Sequence, residues 1–364
     1  MQYLEKYAEL LVSYCLQLNK KERLLIRGTS LAEPLCQALQ KACLEQGVHP
    51  EYLLHFKDQD RLIYDHSHDD QLGEVSSFYK MAVTEFDAIL TLISPYDVGA
   101  LASVSSEKKT KRQQGLADIK KIMMKRSSKG DLRWCLCVYP TESLAKEAGM
   151  SLKEYEGFVE KACYLDKEDP IKAWQALGGR QQKIVDRLQT YSEFTFKGDR
   201  THLTFSTKGR RWINSDGKRN MPSGEVFSSP VETSVEGQIY FNYPTRYQGQ
   251  DVSGITLTVK KGIIQSWQAE VGQDALDAAF QINGARQFGE VAIGTNDQIQ
   301  TPTKQILFDE KIGGSIHMAV GASYPEAGGK NASALHWDMI KDMKEGGQIE
   351  ADGHLIYKDG VFCF

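Results

Sequence analysis

No stretch of this 364-residue chain approaches the roughly 20 consecutive apolar residues of a membrane crossing, so no span is expected. The opening, MQYLEKYAELLVSYCLQL, is interrupted by Glu5, Lys6 and Glu9. It reads as an amphipathic helix rather than a secretory leader, whose apolar core would be unbroken, and the expected setting is the cytoplasm. Cysteine is sparse and unpatterned: Cys15, Cys36, Cys43, Cys135, Cys137, Cys163 and Cys363. An odd count at irregular spacing excludes a disulfide framework and fits a reducing compartment, with buried thiols rather than a thiolate metal site. Neither sign of charge dominates, and a net charge of -4 gives no reason to expect nucleic acid or an anionic membrane as partner. The dinucleotide fingerprint and the P-loop are both missing: Gly28-Thr29-Ser30 follows a strand but lacks the remaining glycines. No internal repeat is evident.

What is present divides the chain in two. In the first part strands and helices alternate. Glu22–Arg27 reads as a buried strand, followed by a helix with the capping-box pattern Ser30–Glu33 and ended by Gly47. Further strands are expected at Tyr52–Phe56, up to Ile93, and in LRWCLCVYP, with helices over Leu72–Ala82 and, as one long basic helix, Glu107–Lys125. The basic run lacks interleaved aromatics and reads as a solvated helix face. Such alternation predicts a Rossmann-like α/β domain on a largely parallel sheet. A helix over 171–190 leads into short alternating strands with Gly and Asp turns, which predict an α+β domain with a mostly antiparallel sheet. One helix, Asp274–Asn283, interrupts those strands. The expected domains are 1–190 and 191–364.

The residues that carry chemistry lie in the second part. His336 and Asp338 sit two apart in ALHWDMI, so on a strand both leave one face. His317 lies in GSIHMAVG, Glu290 in FGEVAIG and Glu225 in PSGEVF, each hemmed by glycine, which lets backbone approach a bound ion closely. Any one of these alone reads as a hydrogen-bonded core residue. Together they suggest donors converging on two metal ions, and on pattern alone both readings stand. His66-Ser67-His68-Asp69-Asp70 is a rival cluster, but it lies in a polar stretch where Asp69 or Asp70 suits a helix cap.

The four motifs NMPSGEVFSSP, FGEVAIGTN, ILFDEKIGGSIHMAVGASYP and GGKNASALHWDMI, in that order, resemble the thermophilic aminopeptidase family of metallopeptidases, which includes aminopeptidase T, AmpS and PepS. The resemblance covers most of the second domain and, more loosely, the first. It implies metal ligands at Glu225, Glu290, His317, His336 and Asp338. Glu310 matches a further acidic position, although its spacing to His317 is longer than usual, and Tyr324 matches the catalytic tyrosine. The ligand set, acidic and free of cysteine, suits two divalent ions of zinc, cobalt or manganese. The implied activity is removal of the N-terminal residue from short peptides by an activated water, with Glu290 and Tyr324 catalytic, in a homodimer. Two other readings remain at this point: hydrolysis of a non-peptide amide or ester, and a binding protein that keeps the fold without turnover.

Overall fold

The computed structural model describes residues 2–364 and divides into two units. The first runs to Ile171 and takes in Gly217–Met221; the second holds Lys172–Asp216 and Pro222–Phe364. The division falls at the first turn of the helix Pro170–Leu188, whereas the sequence places it near Tyr191, beyond that helix.

The first unit is built on a parallel sheet of five strands, ordered His49–His55, Arg23–Thr29, Ala88–Ile93, Arg133–Val138 and Asn220–Met221. Leu24, Leu25, Ile26, Ile89, Leu90, Cys135, Cys137 and Val138 are all buried, as strands covered by crossover helices on both faces require. The helix Glu33–Gln46 ends at Gly47, whose φ of 74° takes the left-handed conformation that glycine adopts without strain.

Three local expectations are corrected. Ser30 does not cap that helix: Ser30–Ala32 forms a 3₁₀ turn, started by the Thr29 hydroxyl accepting from the Leu31 amide at 3.3 Å. The helix expected over Leu72–Ala82 is two, Asp69–Leu72 and Ser77–Glu85, the second capped by Ser76. The basic helix is also two, Ser106–Gly115 and Ala117–Lys129. Both breaks share a cause, because Gly73 and Gly115 touch: a Cβ on Gly115 would lie 2.1 Å from the Gly73 carbonyl oxygen. Several cations of the basic stretch bond backbone carbonyls. Arg126 reaches Val83 and Phe86 at 2.8 Å each, and Arg112 reaches Glu74 at 2.6 Å.

The second unit has two main antiparallel sheets. The larger is ordered Ile263–Gln268, Ile255–Lys260, Glu236–Phe241, Thr201–Ser206, Glu193–Gly198, Gln348–Ala351, His354–Lys358 and Val361–Phe362. The smaller is ordered His336–Asp342, Ser315–Gly321, Phe288–Gly294, Glu225–Ser228 and Ile213–Ser215. A hairpin, Thr245–Tyr247 with Gln250–Val252, stands apart. The interrupting helix is shorter than expected, Gln273–Ala279. Phe194, Phe196, Phe205 and Leu257 of the larger sheet join Val291, Ile316, Met318 and Met339 of the smaller in one hydrophobic core.

Candidate metal centre

The smaller sheet sorts its side chains by the two-residue period of a strand. Glu290, Ala319 and Asp338 lie opposite one another across three strands, His317 lies opposite Ala292, and Glu225 opposite Gly294. Register therefore puts Glu225, Glu290, His317, His336 and Asp338 on one face. Ala292, Gly294, Ala319 and Gly321 share that face and leave room among the donors, while Phe227, opposite Ala292, and Ile340, opposite His317, flank them. The alternate residues Val291, Ile293, Ile316, Met318, Val320 and Met339 face the core. Burying that apolar side fixes the register, since a slip of one residue would exchange the two faces.

Local devices set the angles. The pairing shifts by one residue between Phe288 and Glu290, leaving Gly289 in a bulge. A Cβ there would meet the Ala322 carbonyl oxygen at 2.2 Å. That same carbonyl binds His336 Nδ1 at 2.9 Å, which turns Nε2 toward the carboxylates. Gly224, at φ 115°, delivers Glu225 where any side chain would strike Asn296. The buried Gln181 amide donates to Asn214, Ser215 and the Glu225 carbonyl, at 2.8, 3.1 and 2.8 Å.

Two donor groups result: Glu225, Glu310 and His317, and Glu290, His336 and Asp338, each with ligand atoms within 4.8 Å of one another. Glu290 lies between the imidazoles, 3.8 Å from His317 Nε2 and 3.2 Å from His336 Nε2. His317 Nε2 is 3.2 Å from Glu225, and His336 Nε2 is 3.6 Å from Asp338. Glu310 comes from the turn after Ile306–Asp309, so its longer spacing from His317 still brings it to the others. Tyr324 follows the Ser315–Gly321 strand, with its ring 5.0 Å from that of His336 and 5.5 Å from that of Phe227.

The donor set fits divalent cations. Four carboxylates and two imidazoles converge, and Glu225 Oε2, His317 Nε2 and Asp338 Oδ1 are buried without a well-formed hydrogen bond among the described residues, the first two only 3.2 Å apart. Buried polar atoms left unpaired are costly, and a cation would satisfy all three.

Protons supply part of that positive charge when no ion is bound. Burial disfavours charge on His336, yet Asp338 and Glu290 raise it to about 10. Burial likewise opposes charge on His317, but Glu225 and Glu290 hold it well above the ordinary imidazole value. Burial would raise Glu290, but the two histidines bring it down to about 2. Glu225 is lowered despite burial, by Lys311 and then His317. Burial dominates at Glu310, raising it to about 8 against the pull of Lys311, and it raises Asp338 too. The Tyr324 phenol is raised by desolvation and then by Glu290, Asp338, Glu310 and Glu225, so it stays protonated.

The rival cluster is not gathered in this way. His66, His68, Asp69 and Asp70 are exposed, and Asp69 pairs with Lys111 at 2.7 Å. Nor does Asp69 or Asp70 cap the helix: His68 occupies the cap position, and its amide bonds the Gln71 side chain at 3.0 Å. Glu326 is exposed. Asp309 is buried but accepts from the Thr303 and Lys304 amides, at 2.7 and 2.8 Å, and so holds a loop. Lys311 is the residue the sequence reading passes over. It is buried between Glu225 and Glu310, and in sequence it looks like half of an ordinary surface pair with Glu310.

The family model described as thermophilic metalloprotease (M29) matches residues 1–362. Aminopeptidase 2 of Geobacillus stearothermophilus is 26% identical over 407 residues, covering 98% of this chain and 94% of that protein. Aminopeptidase PepS of Streptococcus thermophilus is 26% identical over 404 residues, covering 98% and 95%. Aminopeptidase T of Thermus thermophilus is 27% identical over 305 residues, covering 74% and 72%. The solved structure of wild-type AmpT from Thermus thermophilus superposes with a TM-score of 0.87, at 22% identity, over 100% of this chain and 99% of that one, which shows a shared fold.

Proposed function

Because the chain belongs to the thermophilic metalloprotease (M29) family, and is a metal-dependent aminopeptidase, we propose that it removes the N-terminal residue of short peptides at a centre of two divalent ions. Glu290, His336 and Asp338 would hold one ion and Glu225, Glu310 and His317 the other, with Glu290 shared between them. Zinc, cobalt and manganese all accept these oxygen and nitrogen donors. The observation that carries this reading is the convergence of two donor triads, with Glu290 between the two imidazoles.

Bound ions would supply Lewis acidity, making water acidic enough to act as a nucleophile near neutral pH and polarising the scissile carbonyl. The protein does the rest. Glu290 or Glu310 takes the proton released by the attacking water and passes it to the departing amine. Tyr324, kept protonated by its surroundings, donates to the oxygen that gains charge. The acidic face favours a substrate's free α-amine over a blocked one, which makes the activity an exopeptidase. A cavity of about 340 Å³ opens beside His336 and Asp338, lined by Thr245, Tyr247, Lys304 and Trp337, and would take the substrate's side chain.

A homodimer and a cytoplasmic setting belong to the same proposal. Among the described residues no helix is long and apolar enough to cross a membrane, and no disulfide joins any of the seven cysteines. Val361 and Phe364 near the chain's end are 66% and 50% exposed, a surface suited to a second subunit. The test is metal content measured beside activity, before and after chelation and add-back, with a free and an N-acetylated peptide. Loss and recovery of free-peptide cleavage, with the acetylated peptide left intact, is expected. Equal cleavage of both peptides, or full activity without metal, would defeat the proposal.

A further inference from the structure

The two donor triads differ in one respect: the Glu225 side already contains a cation. The Lys311 side chain is 1% exposed, and its ammonium lies 2.7 Å from Glu225 Oε1 and bonds Glu310 Oε1 as well. Within ion-pair distance, Glu290 and Asp338 meet only imidazoles among the described residues, and Lys311 acts on Asp338 from farther away. The distinction is chemical. An imidazole nitrogen can itself become a ligand, whereas an ammonium has three donors and no lone pair, so it stays as positive charge beside the ion.

Lys311 cannot swing away as a surface lysine would. Its amide bonds the Phe308 carbonyl at 3.0 Å, and its own carbonyl accepts from the Asn296 amide at 3.0 Å. The Asn296 side chain in turn donates to the Ser223 carbonyl at 3.0 Å, in the turn that delivers Glu225. The ammonium and one of its two carboxylates are thus held by the same piece of backbone.

We propose that Lys311 is a built-in cation that makes the two ion positions unequal, so that the Glu290/His336/Asp338 position fills first. The inference rests on the two-ion reading above. An ion at Glu225, Glu310 and His317 must share two of its three donors with an ammonium or break that ammonium's buried contacts. Either way it binds about a hundredfold more weakly than the first. The position is weakened rather than closed, because Glu225 Oε2 and His317 Nε2, 3.2 Å apart, are not engaged by the ammonium and lack a well-formed hydrogen bond among the described residues.

The test is titration of the chelated full-length protein with zinc, followed by calorimetry and by equilibrium dialysis with metal analysis. Imidazole nitrogen resonances of ¹⁵N-histidine protein are recorded alongside. Two steps about a hundredfold apart are expected, the first moving His336 and the second His317. Lys311→Met should draw the steps to within about tenfold of each other. Equal steps in the wild type, a first step at His317, or an unchanged gap in the variant would overturn the inference while leaving two ions in place. Should the variant fail to fold, the wild-type isotherm and the order of the histidine shifts decide alone. Absence of any zinc binding by the wild type would overturn the metal-centre reading itself, and this inference with it.

Discussion

Each unit of this chain contains a five-stranded sheet, and the two are put to opposite uses. The parallel sheet of the first unit buries Leu25, Ile89, Leu90 and Cys137 and, among the described residues, presents no group of metal donors. Burial raises its Cys135 and Cys137 thiols well above the ordinary thiol value, which keeps them protonated. The antiparallel sheet of the second unit turns one face to the main apolar core and puts two imidazoles and three carboxylates on the other. The difference follows from connectivity. Parallel strands need crossovers that cover both faces, whereas antiparallel strands joined by turns can leave one face for chemistry.

Substitutions on the two faces of the antiparallel sheet should separate these uses. The largest effect is expected at Glu290, the carboxylate between both histidines. Glu290→Gln keeps the shape, removes the charge and should lower kcat/KM of the folded protein by about a thousandfold or more. A rate within tenfold of wild type would break the assignment. On the opposite face of the neighbouring strand, where Ile316 pairs with Ile293, Ile316→Ala creates a core cavity and should cost about 3 kcal/mol in denaturant unfolding, while kcat of the folded protein stays within about twofold. If Ile316→Ala instead abolished kcat in folded protein, the two faces would not be separable as claimed.

A smaller effect concerns pH. His336, at about 10, and Glu310, at about 8, hold protons at neutrality when no ion is bound. Ion binding must displace those protons, so affinity should rise with pH through the neutral range and level off only above about 10. Calorimetry in two buffers of different ionisation enthalpy would count the released protons; a pH-independent affinity would contradict the electrostatics of the site.

The smallest effect lies in the first unit, where charges support structure alone. Glu22 receives Arg133 at 2.6 Å. Burial pushes its carboxyl up, but Arg133 and the Asn19 amide outweigh that and hold it below its ordinary 4.5. A lowered folded value means stability present above pH 4.5 and lost as pH falls through the folded value. Glu22→Gln should cost about 1 kcal/mol near neutrality, with no change in kcat, and the difference should vanish in acid. A penalty that persists unchanged at low pH would assign the effect to packing.

Much of this arrangement is legible in the order of residues. Alternation of strands and helices gives the parallel sheet, and the spacing of His336 and Asp338 places both on one face. Glycine beside Glu225 and Glu290 marks where backbone must come close. What escapes reading depends on contacts far apart in the chain. The helix breaks near Gly73 and Gly115 exist because those two residues touch. Lys311 follows Glu310 and so looks like half of a solvated pair. Its burial depends on Glu225, which lies 86 residues away and is brought near only by the folded sheet.

The bare positions beside the donors have a consequence of their own. Ala319 carries a single methyl group between Glu290 and Asp338 in the register, and Gly321 lies opposite His336 with none. A branched residue at either place would crowd the space an ion needs with every donor still in the sequence. Descendants of such a protein could therefore fall silent without losing one charged or imidazole group, and a survey of donors alone would miscount them as active.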